Sequence, residues 1–483
     1  MTRRTRRDIL STLAAGSVAA AFPQETRGEI FIRGGRVVNA DGARDADVRI
    51  AGETIAEVGP RLRPGSAARV IEAAGRLVMP GGIDPHTHLQ GGFVDDLTTG
   101  SKAALAGGIT TVGTFAFPRA GEGMLDALER VGGRVAAEAI ADVILHASAW
   151  PPAPQVRAAL PALAARGQPS FKVFMVQEDF HAHTAALIEL LEAARAAGVV
   201  TLFHCEDGAL LAAAVRRLTA EGRTSLRYYG ESRPVLAEEA ATRQAAAFCE
   251  STGAPVYAVH VSCARALEAC RGARRAGLPF HVETRPLYLH VTEEKLAGPD
   301  GPLYVGQPPL RSRADAEALW AGIADGSIDV LATDHAPWTR EQKLDPSLTV
   351  SRVRPGVSNL QFMLPMFFSE GVHKRRLSLE RFVAATSTNA ARIFGLYPGK
   401  GVVAAGSSAD VVVWDPKLER PVRAQADHSR AGYSVYEGWR VTGWPVLTIR
   451  RGEIVCEDGR VSGAPGSGRL IARAPWRESM ATR

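Results

Sequence analysis

The chain has 483 residues, 46% apolar, 22% charged and 6% aromatic, which excludes a disordered, collagenous or coiled-coil protein. Of its formal net charge of +6, half comes from Arg3, Arg4, Arg6, Arg7 and Asp8, and the remaining excess is too small to mark a nucleic-acid-binding surface. The five cysteines lack CxxC spacing, so neither a disulfide framework nor a zinc knuckle is indicated.

At the N-terminus, Thr5-Arg6-Arg7-Asp8-Ile9-Leu10 leads into a weakly apolar, Ala-rich stretch that passes through Ala19-Ala20-Ala21 to Phe22. Basic, apolar and small-residue segments in that order have the layout of an export signal. The paired arginines resemble the twin-arginine signal, which carries folded proteins across the bacterial inner membrane. Residues 1–21 are expected to engage the twin-arginine export machinery and direct the protein to the periplasm; the alternative is a basic tail on a cytoplasmic protein. The apolar run falls short of the ~20 residues that a membrane span requires.

Residues 29–78 hold short β-type runs between glycine turns: Ile30-Phe31-Ile32-Arg33, Val48-Arg49-Ile50 and Thr54-Ile55-Ala56-Glu57-Val58. The same texture returns at Ala409–Asp415 and Leu447–Val455, so two sheet-like arms flank a different middle. That middle, from about 79 to 395, alternates strand-like runs at 78–84, 109–115, 141–147, 170–176, 200–206, 255–261, 280–286 and 329–335 with helical stretches. Eight β-then-α units predict an α/β fold with a (β/α)8 barrel. A doubly wound sheet would carry a Gly-rich phosphate loop after its first strand, and Gly81-Gly82 followed by His86 and His88 is not that loop.

Chemistry-bearing residues collect near the C-terminal ends of these strands, where barrel active sites lie. His86 and His88 close the first strand two residues apart, on one side of it, so both imidazoles can reach one metal. Lys172 lies among apolar neighbours on the fourth strand, His204 ends the fifth, His260 the sixth and Asp334 the eighth. A second pair, His181 and His183, falls beyond its strand and reads as solvated loop. Each residue alone would more readily be a core histidine or a strand-end cap; together they indicate a site.

The strings Gly81-Gly82-Ile83-Asp84-Pro85-His86-Thr87-His88, Gly107-Gly108-Ile109-Thr110-Thr111, Ser170-Phe171-Lys172, Val259-His260-Val261-Ser262-Cys263, Thr333-Asp334-His335-Ala336-Pro337 and Ser387–Leu396 resemble the dihydropyrimidinase/hydantoinase family of the amidohydrolase superfamily. The resemblance runs from about 29 to 470. It implies a barrel at 81–394, a small β-sandwich from 27–80 and 395–470, and a C-terminal tail at 471–483. It also implies that His86, His88, Lys172 and Asp334 hold one divalent metal and Lys172, His204 and His260 a second. Lys172 would be N-carboxylated by CO2 into an anionic bridge, and zinc is the ion expected from such ligands. The implied activity is hydrolysis of a cyclic amide or ureide C–N bond, with Asp334 as proton shuttle. The implied assembly is a homo-oligomer, a tetramer. Rivals are an amidohydrolase acting on allantoin, an acyclic ureide or an N-acyl amino acid, and a non-catalytic scaffold relative.

Three substrate positions depart from the family pattern. Gln177 replaces the usual tyrosine after the lysine, Gln307 replaces a serine, and Val350–Gly356, with Arg352, replaces a Pro-Asn-Gly turn. Arg352 reads as solvated loop or as a carboxylate clamp. Gln90 stands where dihydroorotate-hydrolysing enzymes carry an arginine. An intact ligand set beside an altered cradle predicts a substrate other than plain dihydropyrimidines and hydantoins.

Overall fold

The computed structural model describes residues 28–90 and 92–477; the expected export signal lies outside them. Eight parallel strands follow one another in chain order: Gly82–Thr87, Ile109–Ala116, Asp142–Ser148, Ser170–Phe174, Val200–His204, Val256–Ala258, Phe280–Thr284 and Val330–Leu331. The seam closes by a parallel bridge between Thr87 and His335, with the His88 N–H donating to His335 O at 2.7 Å. The (β/α)8 barrel expected from the eight-fold alternation is therefore present. Helices such as Leu97–Ala106, Thr184–Ala197, Ala264–Arg275 and Arg313–Asp325 cover it. The first of these is started by Asp96, which accepts from the Thr98 and Thr99 amides in a capping box.

Both chain ends contribute to one mixed sheet of nine strands. Leu77–Pro80, from the N-terminal arm, pairs antiparallel with Val411–Pro421 from the C-terminal arm, and the remaining strands extend outward from that central pair. Alternating side chains, among them Ile32, Val48, Ile50, Val78, Val411, Val413 and Ile449, form its separate apolar core. The two sheet-like arms of the sequence are thus halves of one element.

The sheet is joined to the barrel by buried charge. Lys400 Nζ donates to Asp142 Oδ2 at 2.8 Å and to Asp410 Oδ2 at 2.7 Å. Asp142 opens the third barrel strand, and Asp410 directly precedes the sheet strand Val411–Pro421. Arg451 Nε adds two contacts of 3.1 Å to Asp142. The described part of the C-terminal segment is a strap beneath the barrel. Its Ile471, Arg473 and Trp476 amides donate to Val143 O, Gly167 O and Gly198 O. The buried Arg473 guanidinium also donates to Leu145 O at 2.7 Å and Ser170 Oγ at 2.9 Å.

Removing one partner of a buried ion pair leaves an uncompensated charge. Lys400→Met is expected to destabilise the protein by about 3 kcal/mol, read as a lowered denaturation midpoint. A midpoint equal to that of the unmodified chain would show that neither Asp142 nor Asp410 depends on Lys400 for stability.

Candidate metal centre

All six residues expected as ligands meet at the C-terminal mouth of the barrel. His86, Lys172, His204, His260 and Asp334 are each at most 7% exposed. Ligand atoms of His86, His88 and Asp334 lie within 4.8 Å of one another, a spacing that fits one metal ion. Asp334 Oδ1 is 3.3 Å from His86 Nε2 and 3.0 Å from His88 Nε2. The His204 and His260 rings stand 4.5 Å apart, and the His86 ring is 5.6 Å from that of His260. Between these groups, Lys172 Nζ is buried with no hydrogen-bond partner, 5.4 Å from the Phe115 ring and 5.3 Å from that of Phe174.

Two of these residues hold backbone conformations that ordinary residues avoid. His260 has φ +43° and Asp334 φ +47°, in the left-handed region, where a side chain with a β-carbon is strained. Both residues lie just past the ends of their strands.

Carboxylates behind the histidines fix which ring nitrogen faces inward. Glu283 Oε1 accepts from His86 Nδ1 at 2.8 Å and from the His260 amide at 2.8 Å, leaving His86 Nε2 toward Asp334. Glu206 Oε2 holds His204 Nε2 at 2.8 Å and is itself paired to Arg233, so Nδ1 is the nitrogen of His204 left for a metal. Asp84 accepts from the His86 amide and from the Thr333 hydroxyl, tying the first strand to the eighth.

The electrostatics suit cation binding. Burial holds His86 and His260 well below the ordinary histidine value and lowers His204 as well, so these rings are neutral donors. Burial also draws Lys172 down to about 8, which brings its uncharged amine within reach of neutral pH. For Asp334 burial works upward, but the Arg285 guanidinium foremost, with a hydrogen bond from His88, outweighs it and holds the carboxyl well below its usual range. Glu206 falls to about 2 because the pull of Arg233 and His204 exceeds the cost of its burial.

A cavity of about 240 Å³ opens above the ligands, lined also by Phe93, Phe117, Phe174, Gln307, Pro355 and Gly356. Gly356 has φ +116°, and a β-carbon there would stand 2.2 Å from Ala336 O, so only glycine lets this wall close on the strand end. Gln307 lines the cavity. Gln177, in the turn after the fourth strand, and Arg352, in the Thr349–Arg352 turn, are exposed and outside the lining. The second histidine pair is solvated as expected, with His181 and His183 side chains 51% and 38% exposed. The residues that sequence reasoning missed are the supporting ones, Glu206, Arg233, Glu283 and Arg285. Charged positions inside the buried run Phe280–Arg285 were the available signal.

Residues 77–455 match the amidohydrolase family. A D-hydantoinase of Geobacillus stearothermophilus is 36% identical over 461 residues, covering 93% of this chain and 98% of that protein. The chain belongs to the hydantoinase and dihydropyrimidinase family of amidohydrolases. Solved members share its fold: a D-hydantoinase (dihydropyrimidinase) from a Thermus species has 32% identity, a TM-score of 0.89, and coverage of 92% of this chain and 99% of that one. An L-hydantoinase (dihydropyrimidinase) from Arthrobacter aurescens has 30% identity, a TM-score of 0.84, and coverage of 92% and 99%.

Supports behind metal-ligating histidines are typically worth 10- to 100-fold in metal affinity. Glu206→Gln, which keeps the shape and loses the charge, is expected to weaken metal binding about tenfold, measured as metal retained after dialysis against a graded chelator. Equal retention in the two proteins would show that Glu206 serves Arg233 alone.

Proposed function

We propose that the chain hydrolyses the C–N bond of a neutral cyclic amide or ureide with two divalent ions, best met by zinc, and an N-carboxylated Lys172. The observation that carries this reading is the buried, unpartnered Lys172 Nζ among four histidines and Asp334. A carbamate on that nitrogen would place an anionic oxygen ligand where the unmodified amine finds no partner. His86, His88 and Asp334 would hold the first ion, and His204 through Nδ1 and His260 the second. When bound, such an ion pair polarises the amide carbonyl and makes water nucleophilic near neutral pH.

The protein's own groups do the rest. The cavity holds the ring against the ligands, with Phe93, Phe117 and Phe174 presenting apolar surface to a ring substituent and Gln307 offering an amide to its polar edge. Asp334 takes the proton of the attacking water on its carboxylate and returns it to the departing ring nitrogen. Apart from the ligand set, no charged side chain lines the cavity among the described residues, which favours a neutral ring over a carboxylate-bearing substrate. Substituted hydantoins therefore suit this site better than dihydrouracil or plain hydantoin.

The test is zinc content and hydrolysis across substituted and plain hydantoins, dihydrouracil, allantoin and cyclic imides, for the unmodified chain and for Lys172→Ala. The unmodified chain is expected to hold two ions and to favour a substituted ring. Lys172→Ala is expected to lose activity and most of the metal, with partial recovery of both in acetate or propionate. Full activity in Lys172→Ala would overturn the assignment.

Export completes the proposal. It is supported by the Arg6-Arg7 leader. No helix among the described residues is long and apolar enough to cross a membrane. Fused to a reporter active only after folded-state export, the native leader should export it, and Arg6→Lys with Arg7→Lys should abolish the signal. A reporter that stays cytoplasmic behind the native leader would remove the periplasm from the reading.

A further inference from the structure

The seventh barrel strand holds none of the six ligands, yet the residue just past its end grips one of them. Arg285 has a side chain at 0% exposure, and its one acidic partner among the described residues is Asp334, with Nη1 3.2 Å from Oδ2. Its Nε donates to Thr333 O at 3.1 Å, so one planar fork holds both the backbone and the carboxylate at the end of the eighth strand. Nη1 also lies 3.4 Å from the Tyr288 hydroxyl, which donates to Pro308 O at 2.7 Å beside the cavity wall. At Gly306 a β-carbon would stand 3.0 Å from Nη1, so the wall carries no side chain where it meets the guanidinium.

These contacts have a directional consequence. Asp334 Oδ1 faces the two histidines while Oδ2 is tied to Arg285, so the carboxylate cannot swing both oxygens toward a cation in the barrel mouth. Nη2 is buried without a partner, a cost that a merely neutralising ion pair does not explain.

We propose that Arg285 is a positioning residue that keeps Asp334 a one-oxygen ligand and proton carrier by denying its second oxygen to the metal. The inference rests on the proposed hydrolysis and deepens it. A carboxylate released from Arg285 would bind the ion through both oxygens, holding metal at least as firmly while losing its place as a base. The loss of a neighbouring positive charge also favours retention of the metal.

The experiment compares zinc-loaded Arg285→Met and Arg285→Lys with the unmodified chain, reading zinc loss to a chelator without substrate and kcat and KM on the preferred ring. Arg285→Met is expected to release zinc no faster than the unmodified chain, while kcat falls at least ~10-fold and KM moves by less than about threefold. Arg285→Lys, with its charge but no fork, should recover part of kcat. A kcat within about twofold of normal in Arg285→Met, or zinc lost in step with kcat, would overturn the proposal. Should Arg285→Met fail to fold, Arg285→Lys decides by the same readouts: reduced kcat with zinc retained supports positioning, and unchanged kcat or parallel zinc loss refutes it. Zinc retention is read without substrate, so an error in the substrate class leaves that readout intact.

Discussion

A primary amine buried among four imidazoles and one carboxylate is the constraint on which the barrel mouth depends. Lys172 is 1% exposed, its Nζ finds no acceptor, and aromatic rings stand on two sides of it. Desolvation opposes the ammonium form there, while Glu283 and Asp334 favour it less strongly. An amine in this position is a poor element of a core and a good precursor of an anionic bridge. The neutral histidines point the same way, because rings deprived of their charge by burial are donors to a cation and offer no compensation to a carboxylate.

Holding such a cluster in register falls to groups that never enter the cavity. Glu283 serves two ligand positions at once, the His86 ring and the His260 backbone, and so couples the first strand to the sixth through the seventh. On the other side, Glu206 fixes His204 and is anchored by Arg233, whose carbonyl accepts from Arg311. Arg311 pairs with Glu238, and Glu238 accepts from the amide and hydroxyl of Ser262, two residues beyond His260. His204 and the segment of His260 are thus joined through one buried network of charged and polar groups. Each charge along it has a partner, the condition under which ions persist in an interior.

The barrel was legible because its signal is repetitive. Eight apolar runs separated by helical periods survive errors of several residues at each boundary, and all eight strands fall within or beside those runs. The meeting of the six candidate ligands was legible because a barrel places strand ends in one circle, so residues far apart in the chain could be judged together. Glu206, Glu283 and Arg285 were not legible in the same way. A carboxylate two residues past a histidine can turn to that histidine or to solvent, and only the packing of neighbouring strands decides between them. Gln177 and Arg352 show the converse. Motif position put them forward as substrate contacts, whereas loop geometry leaves both exposed and outside the cavity lining, and only Gln307 of the three faces the ligands.

The same division of labour extends to the cavity wall, and there a buried lysine does the holding. Lys343 is 1% exposed, and its Nζ donates to Val305 O at 2.7 Å and to Arg354 O and Gly356 O at 2.9 Å each. These carbonyls belong to two separate segments, one leading to Gln307 and the other carrying Pro355 and Gly356, and both segments line the cavity. Three carbonyls around one buried nitrogen form a clasp, because a partial release would leave the lysine or a carbonyl unsatisfied in an interior. The wall can therefore change its side chains, as at Gln307, without losing its backbone path. The candidate ligands and the cavity wall are therefore held independently: the histidines rest on the carboxylates behind them, and the wall rests on a clasp in which the Gln307 side chain takes no part.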